Sequence, residues 1–290
     1  VVPPAAFVGL QFLQDVEEID LDRNTINEIF CDSFVGLENV IKFDIDHNNL
    51  EMCPYLRNFN RLVKLNLQDN NITYISPAHI SNLPNLQILR LFNNPLTCIS
   101  ADTVQQFLSI KDLYIGTKIT GIDEYPPWPH QFPCNFSSTL KKLTIYAHNF
   151  TSTDCSIFMV YPLLVTLEVT LGKTSVFPDL TNAAKVTRIT YTYNNITLLP
   201  NETNIPESNK LALLELNNNN IAAVGMNFFK RMSKLERVSL FDNCLKILPD
   251  EFGVLAVSLV KLEIQNNPEL NVIPEGFLTG RLKSVVNVVD

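Results

Sequence analysis

The 290-residue sequence predicts an α/β repeat solenoid, and three observations carry that reading. First, an eleven-residue phrase recurs along nearly the whole chain, with apolar residues at positions one, four, six and eleven and usually asparagine at nine. It reads VEEIDLDRNTI from Val16 and LALLELNNNNI from Leu211. Second, the phrase starts at Val16, Val40, Leu62, Leu86, Ile110, Leu140, Leu164, Val186, Leu211, Leu235 and Leu259, so successive starts lie 22 to 30 residues apart. A period in that range marks stacked supersecondary units. Third, one such unit is too thin to bury its own apolar face, so neighbours must stack to make a continuous core.

Each part of the unit follows from its residues. Positions four and six, such as Ile19 and Leu21, Phe43 and Ile45, or Leu65 and Leu67, alternate with polar neighbours. A period of two marks a short strand buried on one side. Positions two, three, five, seven and eight then face away from the core. Position nine is Asn24, Asn48, Asn70, Asn94, Asn194, Asn219, Asn243 and Asn267. A buried amide must find partners, so this column is expected to bond the backbone of adjoining turns. Lys118, His148 and Gly172 interrupt it in three central repeats. A second apolar pair lies six and three residues before the next start: Phe34 and Leu37, Ile80 and Leu83, Val104 and Phe107, Phe229 and Met232. That spacing predicts a helical turn or irregular helix opposite each strand.

With its units aligned, the chain resembles the extracellular leucine-rich-repeat superfamily, typical 24-residue class, from Val16 to Leu270. The resemblance implies a curved horseshoe with parallel strands on the concave face and irregular or short helical segments on the convex face. It implies a single solenoid over 1–290, with partial repeats at both ends and a long repeat at 110–139. The interrupted asparagine column is similar to a central loss of the ladder in some Toll-like receptors, a likeness of architecture that imports no ligand. Receptors, adhesion proteins, matrix proteins and inhibitors share this fold, so fold alone does not select a function.

Composition narrows the classes. A net charge of −8 argues against a nucleic-acid partner, which needs clustered Lys and Arg. No apolar run reaches the length of a membrane span, so no insertion is expected within this segment, and no signal peptide is visible. The cysteine-rich caps of extracellular relatives are missing, which reads as a fragment or an atypically capped protein. Cys31 and Cys53 fall at positions 16 and 14 of adjacent repeats, and Cys134 and Cys155 occupy similar neighbouring places. A disulfide is expected for each pair, buried free thiols being the alternative; Cys98 and Cys244 have no obvious partner. Five glycosylation sequons occur, at Asn71, Asn135, Asn149, Asn195 and Asn201. Asn71, Asn149 and Asn195 share position ten, beside the ladder, where a glycan is sterically compatible with the stack. Together these features point to a secreted or cell-surface protein.

Two surface regions are candidate sites. The first repeats are acidic, with Glu17, Glu18, Asp20, Asp22, Asp44, Asp46 and then Asp69 on the outward positions. Neighbouring like charges need compensation from a basic partner, a hard cation or interspersed Lys42, Lys64 and Arg23. No metal-binding loop supports the cation, and a solvated acidic face is preferred. The middle repeats present Arg90, Phe92, Tyr114 and Tyr146, with Tyr193 further on; aromatics and arginine dominate binding energy at protein interfaces. The fifth repeat adds GIDEYPPWPHQFPC from Gly121 to Cys134, a proline-rigid loop holding the single tryptophan, Trp128. His47, His79, His130 and His148 show no metal-ligand spacing, and no nucleophile, phosphate-loop or dinucleotide motif occurs, so neither an enzyme nor a cofactor is expected.

These features favour an extracellular recognition module that binds a protein or glycan ligand through its concave face and central loop; a homodimer is compatible with it. A secreted structural protein that self-associates through its repeats is the alternative. An inhibitor that wraps a basic enzyme is a third class, marked by salt-sensitive binding.

Overall fold

A computed structural model describes residues 1–7, 15–56, 59–80, 82–99, 101–118, 139–147, 161–249, 258–274 and 286–287. The chain forms two compact units, Val1–His148 and Asn149–Asp290. In the first, the elements are β1 (Glu18–Asp20), β2 (Lys42–Asp44), β3 (Lys64–Asn66), β4 (Tyr74–Ile75), β5 (Ile88–Arg90), β6 (Cys98–Ile99), α1 (Ala101–Val104), β7 (Asp112–Gly116) and β8 (Lys142–Tyr146). The second holds β9 (Thr166–Thr170), β10 (Arg188–Thr192), β11 (Leu198–Leu199), β12 (Leu213–Glu215), β13 (Ala223–Val224), β14 (Arg237–Ser239), β15 (Lys261–Glu263) and β16 (Val286–Asn287).

The main strands pair in parallel, β1-β2-β3-β5-β7-β8 in one unit and β9-β10-β12-β14-β15-β16 in the other. Each of the eleven phrases places its strand two residues after its start, and β16 adds a further strand beyond the phrases. Register joins equivalent positions, so Asp20 faces Asp44 and Arg90 faces Tyr114. Short flanking pairs, β4 with β6 and β11 with β13, bond one edge of each stack.

Positions one, four and six form apolar columns inside each unit; Leu62, Leu65 and Leu67, like Leu211, Leu214 and Leu216, are fully buried. Each such leucine contributes about 1.5–3 kcal/mol on leaving water. Phe34, Phe43 and Phe59 pack edge to face behind the first strands, and Phe177, Phe228 and Phe229 do so in the second unit.

The asparagine column behaves as its residue type requires. Asn70 donates from Nδ2 to the carbonyls of Ile45, Leu67 and Gln68, and its Oδ1 accepts from the Leu50 amide at 3.0 Å. Asn48, Asn94, Asn219, Asn243 and Asn267 repeat the pattern. Where the column holds Lys118 or Gly172 the backbone has another solution. Strands β7, β8, β9 and β10 run to five residues, against two or three for their counterparts elsewhere, and pair over that full length as β7–β8 and β9–β10. Carbonyls that no amide side chain takes continue the strand ladder instead. Asn194, first after Gly172, retains its donor bonds to Val169 and Thr192, but its buried Oδ1 has no partner.

Leaving the strand requires a sharp turn. Position eight is left-handed in ten repeats, at Arg23, His47, Asp69, Asn93, Ala147, Leu171, Tyr193, Asn218, Asp242 and Asn266, with φ between 48° and 58°. Asn and Asp tolerate that region best.

The back of the repeat narrows an expectation. The spacing predicts irregular or short helical segments there, and the irregular form prevails: the described residues contain one four-residue helix, α1. Phe34, Leu37 and Val40, or Phe229, Met232 and Leu235, are instead linked by successive i→i+3 backbone bonds. A spacing of three throughout is the period of a tight 3₁₀-type turn, not of an α-helix. With so few residues before the next strand, an α-helical nucleus is not propagated.

Candidate functional site

At the acidic end of the first unit, the carboxylates are satisfied from within. Strand β3 sets Asn66 beside Asp44 and, two residues on, Gln68 beside Asp46. Asn66 Nδ2 donates to Asp44 Oδ1 at 2.8 Å and to Asp46 Oδ2 at 3.0 Å, and Gln68 Nε2 donates to Asp46 Oδ2 at 3.2 Å. Lys64 Nζ lies 3.4 Å from Asp44, and His47 lies between Asp46 at 3.1 Å and Asp69 at 3.5 Å. Asp69 also accepts from Asn93. Charge-assisted bonds of this kind offset the like-charge neighbours. Glu17, Glu18 and Asp20 are exposed at the outer strand, where Lys42 reaches Glu18 at 3.3 Å. Sequence reading identified the acids and their basic neighbours but missed Asn66 and Gln68. Their spacing of 22 residues from Asp44 and Asp46 was the available signal.

Further along, the predicted aromatic residues come together. Strands β5 and β7 place Arg90 and Tyr114 in register, and the guanidinium carbon sits 5.0 Å from the Tyr114 ring centroid. Lys142 Nζ from β8 approaches the same ring at 5.2 Å. Phe92 and Tyr146 stand two strands apart, yet their ring centroids lie 6.3 Å apart. The intervening repeat puts Gly116 at their shared position. A Cβ there would fall 2.2 Å from the Tyr146 carbonyl oxygen, so glycine allows the approach of these strands. All four predicted residues are half-buried. Arg90 Nε is buried without a partner, and no carboxylate pairs with Arg90 among the described residues.

Tyr193 belongs to the second unit, where it is 54% exposed at a left-handed position eight. Trp128 lies outside the described residues, as do Asn135, Asn149, Cys134 and Cys155. Asn195 and Asn201 are exposed, while Asn71 is half-buried and accepts from Lys118 Nζ at 3.1 Å. The expected Cys31–Cys53 disulfide is corrected: both are free thiols. Both line one cavity of about 490 Å³ with Phe30, Met52 and Tyr55. Cys53 turns into the core and donates to the Pro54 carbonyl at 3.7 Å, whereas Cys31 faces solvent. Burial pushes the Cys53 thiol up, which keeps it protonated. Among the described residues no cluster of three or more His, Cys, Asp or Glu is placed to hold a metal ion, and no helix is long and apolar enough to cross a membrane.

The parallel-strand stacks and their repeating phrase define a repeat solenoid of one class. A family model described as leucine rich repeat matches residues 58–116 and 209–268. Those two segments match leucine-rich repeats, one in each unit. Human Toll-like receptor 8 is 23% identical over 279 residues, covering 88% of this chain and 22% of that protein, so the chain spans less than a quarter of this relative. Among solved structures, an octameric complex of Latrophilin 3, Unc5D and the FLRT2 leucine-rich repeats contains a similar chain. It has a TM-score of 0.67 and 20% identity over 86% of this chain and 74% of that one. The Toll–Spatzle complex of Drosophila gives 0.62 and 15% identity over 91% and 37%. At these identities the structures establish the fold.

Proposed function

We propose that this protein is an extracellular ligand-recognition module, a receptor or adhesion ectodomain or a secreted binder, whose 1–290 array meets a protein partner across its strand face. The observation that carries the reading is the half-buried cluster of Arg90, Phe92, Tyr114 and Tyr146, large side chains gathered on the outward side of strands rather than in the core. Aromatic and arginine anchors of this kind concentrate binding energy. Trp128 and, in the second unit, Tyr193 are each proposed as partner-binding residues in their own right. Similar chains in two of the matched structures sit in complexes with protein partners, which supports a protein ligand. The exposed sequons at Asn195 and Asn201, with Asn71, support a secretory route, and Asn135 and Asn149 are assigned with them.

The test is a binding screen of the purified chain against an array of extracellular proteins, repeated with Tyr146→Ala and Trp128→Ala. A heterologous binder whose affinity falls about tenfold or more in the variants, with little change in Tm, is the expected result. Collapse of stability with unchanged binding by the surviving fold would mean that these residues are packing.

A structural reading has one observation in its favour. On the flank of the second unit, Leu198, Ala223 and Ile247 align in register, and Leu198 and Ile247 are 57% and 71% exposed. Concentration-dependent oligomers that vanish in Ile247→Lys would favour self-association over recognition.

A further inference from the structure

The outward face of the first unit is electrically divided. The phrases at 16–26, 40–50 and 62–72 carry seven acidic and three basic residues, whereas those at 86–96, 110–120 and 140–150 carry five basic and one acidic. In a chain of net charge −8, the basic half is an inversion of the general field. It also differs in how its charges are satisfied. Asp44 and Asp46 take donors from Asn66, Gln68, Lys64 and His47, while Arg90 rests on a ring and pairs with no carboxylate among the described residues.

We propose that this end of the face binds an acidic polypeptide segment, one carboxylate of which docks on the Arg90 guanidinium where it lies on Tyr114. The proposal rests on the reading of the strand face as a recognition surface and names the chemistry of its ligand. Four features carry it. The Arg90 guanidinium carbon lies 5.0 Å over the Tyr114 ring centroid, a cation–π contact that restrains the side chain before a ligand binds. A planar guanidinium presents paired donors that match a carboxylate, and among the described residues no carboxylate occupies those of Arg90, a half-buried side chain. Lys142 beside the same ring and Lys111, held on Gln87 Oε1 at 2.8 Å, extend the positive field across three strands. Phe92 and Tyr146 next to them supply apolar area for a neighbouring side chain of the segment.

A long polyanion fits less well. Strands stack about 4.8 Å apart, so the acidic half begins within roughly one Debye length of Arg90. A nucleic acid backbone crossing the basic patch would run onto Asp44 and Asp46, whereas a short acidic segment ends before them.

The test uses the whole chain and four probes: hexaglutamate, hexaglutamine and hexalysine peptides, and octauridylate, titrated by calorimetry at low and physiological ionic strength. Hexaglutamate is expected to bind about tenfold or more tighter than hexaglutamine. Arg90→Ala should remove about tenfold of that affinity, and Arg90→Lys, which keeps charge but loses the planar fork, about threefold. Asp44→Asn with Asp46→Asn alters charge at the closed end and should shift affinity less than about twofold. Arg90→Lys also covers the case in which Arg90→Ala fails to fold, which a thermal melt reports. The proposal is overturned if hexaglutamine or hexalysine binds as well as hexaglutamate, if octauridylate binds tighter, or if Arg90→Lys equals wild type. An overturned proposal alongside a partner that is still lost in Tyr146→Ala removes the acidic ligand and leaves the recognition surface standing.

Discussion

The two halves of the first unit's strand face share backbone, register and repeat, yet they treat their polar groups in opposite ways. From β1 to β3 the asparagine column bonds the turns, and Asn66 and Gln68 bridge the aspartates. From β5 to β8 the column passes from Asn94 to Lys118, β7 and β8 lengthen to five residues, and Arg90 faces outward with a buried donor unpaired. The comparison teaches that charge density is a poor mark of a binding surface. The acidic half is the more heavily charged by sequence, but at Asp44, Asp46 and Asp69 its hydrogen-bonding capacity is already engaged. Capacity left over is the better mark, and it lies in the half with fewer charges.

Three measurements would break or sharpen this contrast. The largest effect is expected at the column itself. Asn70→Ala removes three donor bonds to carbonyls that keep a second donor from Asn48, Asn94 and His47, and leaves the buried Leu50 amide without a partner; it should cost about 2–4 kcal/mol in denaturant unfolding. Lys118→Ala, at the same position of the fifth repeat, should stay within about 0.5 kcal/mol. Equal losses would mean that the two halves are held in the same way. Next is Asn66→Asp, which turns the bridging donor into a third carboxylate and should cost about 2–3 kcal/mol at neutral pH. Relative to wild type, that loss should shrink as pH falls into the carboxylate range, because the introduced carboxyl, once protonated, would again donate; a pH-independent loss would refute the bridging role. The smallest concerns His79, buried beside Tyr55 and Tyr74 and hydrogen-bonded to Ser76. Burial lowers its pKa below the ordinary value, so the unfolded chain takes up a proton first. Its stability contribution is complete above about pH 6.5 and declines as pH falls through the lower folded value. His79→Gln should flatten that decline without moving the acidic half's response.

Much of the fold was legible because the phrase encodes it directly. Leu65 and Leu67 had to face one way and Lys64 and Asn66 the other, and β3 lies where they place it. The buried asparagines announced their bonds through residue type alone. The back of the repeat misleads because Phe34 and Leu37 by themselves suit a helical turn; including Val40 reveals a period of three. The turn at position eight also left a signal, since Asn93, Asn218, Asp242 and Asn266 are residues that accept left-handed backbone. At the site, Arg90 and Tyr114 share a repeat position, so their contact follows from alignment. The approach of Phe92 to Tyr146 does not, since it depends on what Gly116 lacks. Cys31 and Cys53 share a neighbourhood as their spacing implies, but spacing carries no information on which way each thiol turns.

The constancy of register has a wider consequence. Starts of successive phrases vary from 22 to 30 residues, yet every strand begins at the same place in its unit. Added or deleted residues enter the connecting segments and leave the neighbours on the strand face unchanged. Within each unit, therefore, the chain carries a second text that runs across the strands, one letter per repeat. Arg90, Tyr114 and Thr144 are consecutive in that text, though 24 and 30 residues separate them along the backbone. Two proteins of this build could diverge beyond recognition in the ordinary direction and still agree column by column, and it is in the columns that shared partners should be sought.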